Sequence, residues 1–380
     1  MDLTECRKNI DEIDSKILDL FLKRMKVAAD VADYKRENGM ATTQKSRERE
    51  ILQRVSDVAG DEFADYSRVL FSTLMDLSKS YQIKRNSTND GIVSSKVKKA
   101  LEETPNMFPE RGIVACQGIE GAYSQIACDK LFKAANISYM KNFEGVFNAV
   151  EKGLCQYGIL PIENSIHGTV IAVYDLMRNH KFNIVKSIKL KLSHALMTKP
   201  GVKMEDIKEI ISHEQALGQC SEFLKSYPDI KITVCENTAV AAKMVSDSKR
   251  NDMAAISSPD CAKYYGLFVI DDNVANSDSN FTRFICISKN TEIYPGADRM
   301  SIIMNLPHTP GSLYSIISKF AAAGLNLTKL ESRPIPGKDF EFSFYFDLEA
   351  SVYSDDALAI LDELAAGDNN FQFLGGYTQI

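Results

Sequence analysis

Apolar side chains recur three and four residues apart along the first stretch of the chain, at Cys6, Ile10, Ile13, Ile17, Phe21, Ala28 and Val31. That spacing marks one stripe of an α-helix. The pattern runs from about Leu3 to Glu37 and stops at Asn38 and Gly39. Two further helical patterns follow, at 45–59 and 62–84, so residues 1–85 are predicted to be all helix. A helix of about 35 residues extends about 53 Å. Two short helices do not cover a stripe of that length. A second copy of the chain is therefore expected against it, as an intertwined dimer.

Residues 86–110 are polar and interrupted by proline and glycine, the composition of a linker, with a short helical pattern near Val97–Glu103. Beyond Gly112 the period changes. Short β-rich runs at Ile113–Gln117, Tyr157–Pro161, Lys191–Thr198, Ile230–Val234, Met253–Ile256 and Phe284–Ile287 alternate with helical patterns, which predicts α/β layers over 111–290. From 298 to 380 the order is strand Met300–Leu306, helix Ser312–Ala323, strand Leu325–Arg333, strand Glu341–Leu348, helix Ser354–Leu364, strand Phe371–Tyr377. This βαββαβ order predicts an α+β, ferredoxin-like unit.

At 380 residues the chain is long enough for several cores, and 44% apolar with 25% charged residues fits a folded protein. The net charge of −6 argues against a general nucleic-acid or acidic-membrane binder. Cys6, Cys116, Cys128, Cys155, Cys220, Cys235, Cys261 and Cys286 contain no CxxC pair, so buried thiols in a reducing cytosol are expected, with no metal site. The opening MDLTECRKNIDEID is charged and helical in pattern, unlike a signal peptide. The longest uncharged stretch, Met300 to Ser318, holds Pro307, His308, Pro310 and Gly311 and is no membrane span.

The helical region carries Arg7, Arg24, Lys35, Arg47, Glu48, Ser78 and Gln82. Arg24 and Lys35 fall about 20° apart on one helix face, and Ser78 and Gln82 also share a face. Arg7 lies about 26 Å along the axis from Arg24, so it reaches the same small ligand only on a partner chain. By spacing alone these cations are a solvated helix face. Taken together, however, CRKNIDEIDSKILDLFLKRMKVAADVADYK, SREREIL and LSKSYQ resemble the all-helical chorismate mutases over 1–85. That resemblance implies that Arg24, Arg47 and the partner's Arg7 bind the carboxylates of chorismate. It gives Lys35 and Gln82 to the ether oxygen, Glu48 to the ring hydroxyl and Ser78 to a carboxylate. Gln44 stands where many members have an acid. The rearrangement is pericyclic, so catalysis comes from holding the compact conformer and placing donors on the breaking C–O bond.

In the middle region, Gly118-Ile119-Glu120-Gly121-Ala122-Tyr123-Ser124 follows a strand and opens a helix, a place where backbone N–H groups hold anions. It is not GxGxxG, so a dinucleotide site lacks support. Pro161-Ile162-Glu163-Asn164-Ser165 with Gly168-Thr169-Val170 follows the strand Tyr157–Pro161, and Asn280-Phe281-Thr282-Arg283-Phe284 opens another. Singly, each segment reads as a turn, cap or packed loop. Together GIEGAYSQIA, FEGVFNAVEKG, GILPIENSIHGTV, ISHEQALGQC and NFTRFICI resemble prephenate dehydratase. The resemblance implies two α/β lobes of periplasmic-binding-protein-like type around a cleft. It makes Thr282 the catalytic candidate and Asn164, Ser212 and Gln219 substrate or catalytic positions, with Arg283 on a substrate carboxylate. Ser165, Thr169 and His213 are further candidates. Prephenate loses water and CO2, so a proton must reach the departing hydroxyl. Thr282 is expected to relay it, with Glu163 or His213 as its source.

The last unit resembles an ACT domain, through Pro310-Gly311-Ser312-Leu313 at a helix start and Glu331-Ser332-Arg333 ending a strand. L-phenylalanine is the implied ligand and feedback inhibitor, bound across a homodimer or homotetramer. Neither reaction calls for a cofactor. The rival expectations are a non-catalytic two-lobed binding protein, which would not convert chorismate, and an arogenate dehydratase, which a comparison of the two substrates would reveal.

Overall fold

The structure, a computed structural model, describes residues 2–38, 45–86, 91–338, 341–367 and 370–380. Gly39 and Gln44 lie outside the described residues. By contact density the chain divides into two compact units, 1–99 with 300–373, and 100–299 with 374–380.

In the first unit, α1 (Leu3–Glu37) starts where Asp2 Oδ1 accepts the N–H groups of Thr4 and Glu5. Its end is closed by Asn38 N–H on Tyr34 O, 3.1 Å. Helix α2 (Lys45–Asn86) is interrupted at Gly60, where φ 70° and ψ 168° break the helical path. The chain reverses there, since Glu48 meets Lys79 across 3.2 Å. The break falls between the two helices expected at 45–59 and 62–84. Ala28, Ala29 and Ala32 are buried on α1, whereas Ile10, Ile13 and Ile17 remain 56%, 54% and 55% exposed, so most of the apolar stripe has no cover within one chain. Helix α3 (Ile92–Glu103) is longer than the short helix expected at Val97–Glu103, because its first turn is capped from afar: Val93 N–H and the Ser94 hydroxyl both donate to Asp362.

The second unit holds two sheets. The first runs β2-β1-β3-β11-β5, with β4 beside β3. It comprises β1 (Arg111–Gln117), α4 (Tyr123–Leu131), β2 (Ala134–Met140), α5 (Phe143–Glu151), β3 (Tyr157–Asn164), β4 (Gly168–Thr169), α6 (Ile171–Met177) and β5 (Asn183–Lys191), closed later by β11 (Phe281–Ser288). The second runs β10-β6-β9-β7-β8. It comprises β6 (Ala195–Thr198), β7 (Glu209–Ser212), α7 (Glu214–Gln219), α8 (Ser221–Lys225), β8 (Lys231–Val234), α9 (Thr238–Asp247), β9 (Met253–Ser257), α10 (Asp260–Tyr265) and β10 (Phe268–Asp271). Each sheet carries its own apolar core, around Val114, Ile159 and Phe284 in one lobe and around Met197, Ile211 and Ala255 in the other. The chain passes between the lobes twice, through 192–194 and through 272–280.

Two expectations need correction here. The run Lys191–Thr198 is not one strand: β5 ends at Lys191 and β6 begins at Ala195, because the intervening residues cross from one sheet to the other and have no common ladder to join. The strand expected to end at Pro161 continues to Asn164. Strands β2, β4, β5, β7 and β10 were not legible in the sequence pattern; they are selected by their sheet neighbours, as β5 is by its antiparallel pairing with β11.

The C-terminal elements are β12 (Arg299–Leu306), α11 (Ser312–Ala322), β13 (Asn326–Pro334), β14 (Phe342–Glu349), α12 (Asp355–Ala366) and β15 (Gln372–Tyr377), with sheet order β13-β14-β12-β15. These follow the expected βαββαβ order nearly residue for residue. Helix α2 packs on α11 and α12, with Thr73 Oγ1 3.1 Å from the Tyr314 hydroxyl and the Ser315 hydroxyl donating to Asp76 Oδ2 at 3.2 Å. The helical segment and the βαββαβ segment, at opposite ends of the sequence, therefore share one compact unit. Among the described residues no helix is long and apolar enough to cross a membrane.

Candidate active sites

A cleft with a volume of about 560 Å³ lies between the two lobes of the second unit. Thr282 and Phe284 reach it from β11 because alternate residues of a strand share a face. Arg283 lies on the opposite face, with its Nε 3.5 Å from Glu163 Oε2, and does not line the cleft. On β3, Arg283 pairs with Glu163 and Phe284 with Pro161, which leaves Ile162 as an extra residue. This β-bulge turns Asn164 and Pro161 to the same side although they are three residues apart.

Asn164 is fixed from both ends of its amide. Its Oδ1 accepts the backbone N–H groups of Ile166 (3.0 Å) and His167 (2.9 Å). Its Nδ2 donates to Thr282 Oγ1 at 2.9 Å and to Asn280 Oδ1 at 2.8 Å. The Thr282 oxygen is thus an acceptor toward Asn164, and its own O–H is left for the cleft. From the other lobe, Gln219 Oε1 accepts Asn280 Nδ2 at 2.9 Å and lies 2.6 Å from His194 Nε2.

The structure brings Asn164, Thr169, His213, Gln219 and Thr282 to one cleft, and does not bring Ser165, Ser212 or Arg283 to its wall. The Ser165 hydroxyl donates to Ser279 O at 2.9 Å, tying its loop down. Ser212 is fully buried and donates to Ile256 O at 2.6 Å between β7 and β9. Glu163 is off the wall as well, beside Arg283. His213 caps α7, its Nδ1 accepting Gln215 N–H at 3.3 Å. Burial lowers its pKa, with Glu214 working against the shift and His167 adding to it. Sequence reasoning missed His194, hidden inside the supposed strand Lys191–Thr198, and gave no role to Asn280, although it opens the NFTRFICI string. Three of the chain's five histidines, His167, His194 and His213, line this cleft.

Among the described residues, no lysine or arginine lines the cleft. The first turns of α4 and α9 face it instead, through Ser124 and Thr238. Ser124 is 5% exposed. Backbone N–H groups and the helix dipole favour a carboxylate at such ends.

In the first unit, Arg24 reaches from α1 to α2, donating to Leu74 O at 2.8 Å and to the Ser78 hydroxyl. Burial lowers the Arg24 pKa from its ordinary value. Ser78 and Gln82 are buried on the same face of α2, and Gln82 Oε1 has no partner among the described residues. Glu48 pairs with Lys79, which also meets Asp76 at 3.0 Å. Burial works against the Lys79 cation, but Asp76 and Glu48 outweigh it and raise its pKa. Lys35 is half-buried near the end of α1. Arg47 faces solvent and pairs with Glu50, and Arg7 is exposed far along α1, so neither joins Arg24 within one chain.

A recess of about 330 Å³ in the βαββαβ segment is lined by Pro310, Ser312 and Leu313 at the start of α11, by the loop from Leu306, and by Phe342 and Phe344. Gly311, at φ 85°, turns the chain into α11. Glu331, Ser332 and Arg333 lie on the edge strand β13 and do not line this recess.

The chain matches the family model for prephenate dehydratase over residues 114–292 and that for chorismate mutase type II over residues 6–83. It is 34% identical over 318 residues to arogenate dehydratase/prephenate dehydratase 2 of Arabidopsis thaliana, covering 77% of this chain and 83% of that one. It is 29% identical over 386 residues to the bifunctional chorismate mutase/prephenate dehydratase of Escherichia coli, covering 99% and 96% of the two chains. Among solved structures, prephenate dehydratase from Arthrobacter aurescens in complex with L-Phe aligns with a TM-score of 0.65 at 27% identity, over 70% of this chain and 89% of that one. The chain belongs to the prephenate dehydratase family and carries a type II chorismate mutase domain ahead of its dehydratase domain.

Proposed function

We propose that this chain rearranges chorismate to prephenate in its helical segment and converts prephenate to phenylpyruvate in the interlobe cleft, under feedback by L-phenylalanine at an ACT domain formed by residues 298–380. The observation that carries the dehydratase assignment is the Asn164–Thr282 contact at 2.9 Å inside the cleft. Prephenate dianion and one proton become phenylpyruvate anion, CO2 and water. The C–CO2 bonding pair moves through the ring as the C4–O bond breaks, and the hydroxyl leaves as water. Thr282 O–H, kept free by Asn164, donates to that leaving oxygen. The substrate carboxylates are held by the first turns of α4 and α9, with Ser124 and Thr238, in place of Arg283.

Mutase catalysis in this reading uses Arg24, Ser78, Lys35, Gln82 and Glu48 from one chain, Arg47, and Arg7 from a second copy lying on the exposed α1 stripe. Gln44, outside the described residues, is assigned to the ring hydroxyl beside Glu48 by its place in the resemblance alone. The assembly is a homodimer or homotetramer in the cytosol. Phenylalanine occupies the recess beside Pro310-Gly311-Ser312-Leu313, with Glu331-Ser332-Arg333 serving a site completed by a neighbouring chain. Incubation with chorismate alone tests the whole reading: phenylpyruvate should form, and less of it with phenylalanine present. Accumulation of prephenate without phenylpyruvate would remove the dehydratase assignment. A second reading, arogenate as the preferred dehydratase substrate, is favoured by the Arabidopsis relative; kcat/KM for the two substrates separates them.

A further inference from the structure

The donors and acceptors around Thr282 form a chain whose polarity is set at one end. Backbone N–H groups only donate, so the Asn164 atom facing Ile166 and His167 must be Oδ1. Its Nδ2 then faces Asn280, which must answer with Oδ1. Asn280 therefore turns Nδ2 toward Gln219, which must answer with Oε1. The ring nitrogen 2.6 Å from that oxygen, His194 Nε2, must in turn carry the proton. Each amide orientation and the His194 tautomer follow from two backbone groups. Asn280 is 1% exposed and His194 3%, so both donors are buried. His194 Nδ1 is buried without a partner among the described residues, which suits a neutral ring. The two residues sit on the two segments that pass between the lobes, at 192–194 and 272–280.

We propose that His194 and Asn280 are positioning residues of the dehydratase: their N–H donors converge on Gln219 Oε1 and turn the Gln219 amide N–H groups into the cleft. With its oxygen doubly engaged, Gln219 can offer the substrate only donors. Two donors on one acceptor, one from each crossing segment, also hold α7 of the second lobe against β11 of the first. Without them the Gln219 amide is free to rotate and to present its oxygen to an anionic substrate. This inference rests on the assignment of the cleft as the dehydratase site.

The test uses the full chain, with prephenate for the dehydratase and chorismate for the mutase. His194→Leu removes the donor, and His194→Gln restores an N–H at about the reach of Nε2. His194→Leu should lower dehydratase kcat/KM about tenfold or more, the scale of a buried acceptor losing a partner, and His194→Gln should recover most of it. Asn280→Asp, which keeps the acceptor for Asn164 but has no donor for Gln219, should lose at least as much. In a Gln219→Leu background, His194→Leu should add less than about twofold, since residues acting through one another are not additive. Undiminished losses in that background, or a His194→Gln as poor as His194→Leu while the mutase rate is unchanged, would overturn the proposal. Thr282→Ala run alongside separates the two levels: if it keeps dehydratase turnover, the cleft assignment fails, whereas its inactivity beside a fully active His194→Leu sinks the positioning role alone.

Discussion

Thr282 shows how little a single side chain specifies before its neighbours are placed. A threonine hydroxyl is both donor and acceptor, and the Asn164 amide decides which role is left over. Thr282→Ala should abolish phenylpyruvate formation while mutase turnover persists; a coupled assay from chorismate shows prephenate accumulating if this holds. For the mutase, Lys35→Ala should lower kcat by about 10²–10³-fold, the usual cost of one donor to developing charge, and a near-normal rate would take Lys35 out of the site. Glu209 makes a different kind of prediction. Its carboxylate accepts from Thr233 (2.6 Å), Lys231 (3.0 Å) and Arg250 (2.5 Å). These bonds, the Thr233 hydroxyl first, pull its pKa from 4.5 down to about 2. A carboxylate lowered in the folded state stabilises that state above its unfolded pKa, and the contribution is lost as pH falls from about 4.5 toward 2. Thermal melts should show wild type losing more stability across that window than Glu209→Gln. Thr282 was legible because its string is specific; Arg283, its neighbour, was misplaced because strand alternation sends it to the other face.

At the scale of elements, periodicity served well wherever an element makes its own pattern. The long α1 and the whole βαββαβ segment lie where their spacing puts them. Gly60 belongs here too. Its φ of 70° with ψ 168° is a conformation open essentially to glycine, with no atom near where a Cβ would stand. Gly60→Ala should therefore cost about 1–3 kcal/mol through backbone strain alone; denaturant unfolding followed by helical circular dichroism measures it, and an unchanged midpoint would show that the turn tolerates a side chain. The elements that escaped notice, β2, β4, β5, β7 and β10, owe their state to the strands they pair with. The bulge at Ile162 is of the same kind. Nothing local announces it, yet without it Asn164 would point away from the cleft.

At the scale of the molecule, the exposed α1 stripe is the feature one chain leaves unresolved. Ile17 is 55% exposed in the middle of it. If a second copy covers the stripe, Ile17→Glu should dissociate the assembly in sedimentation and depress mutase turnover with little effect on dehydration of added prephenate. An unchanged sedimentation coefficient would count against the intertwined dimer. Calorimetry should likewise detect phenylalanine binding, and no heat would remove the sensing role. The close packing of α2 on α11 and α12 joins segments that a linear reading treats as separate domains.

Taken alone, the amino-acid order determined what is written in short-range spacing and in contiguous strings: three successive architectures, the span of α1 and the βαββαβ order, the two chemistries, and Thr282, Asn164 and Gln219 as candidates, which line one cleft. Tertiary structure alone decided which side chains face which way. The reason is that orientation depends on strand pairing, bulges and buried donor–acceptor matching between segments separated in sequence, as in the bond from Asn164 to Asn280, 116 positions apart. Hence His194 and Asn280, unremarkable in the sequence, stand beside the cleft, while Arg283, conspicuous in it, does not.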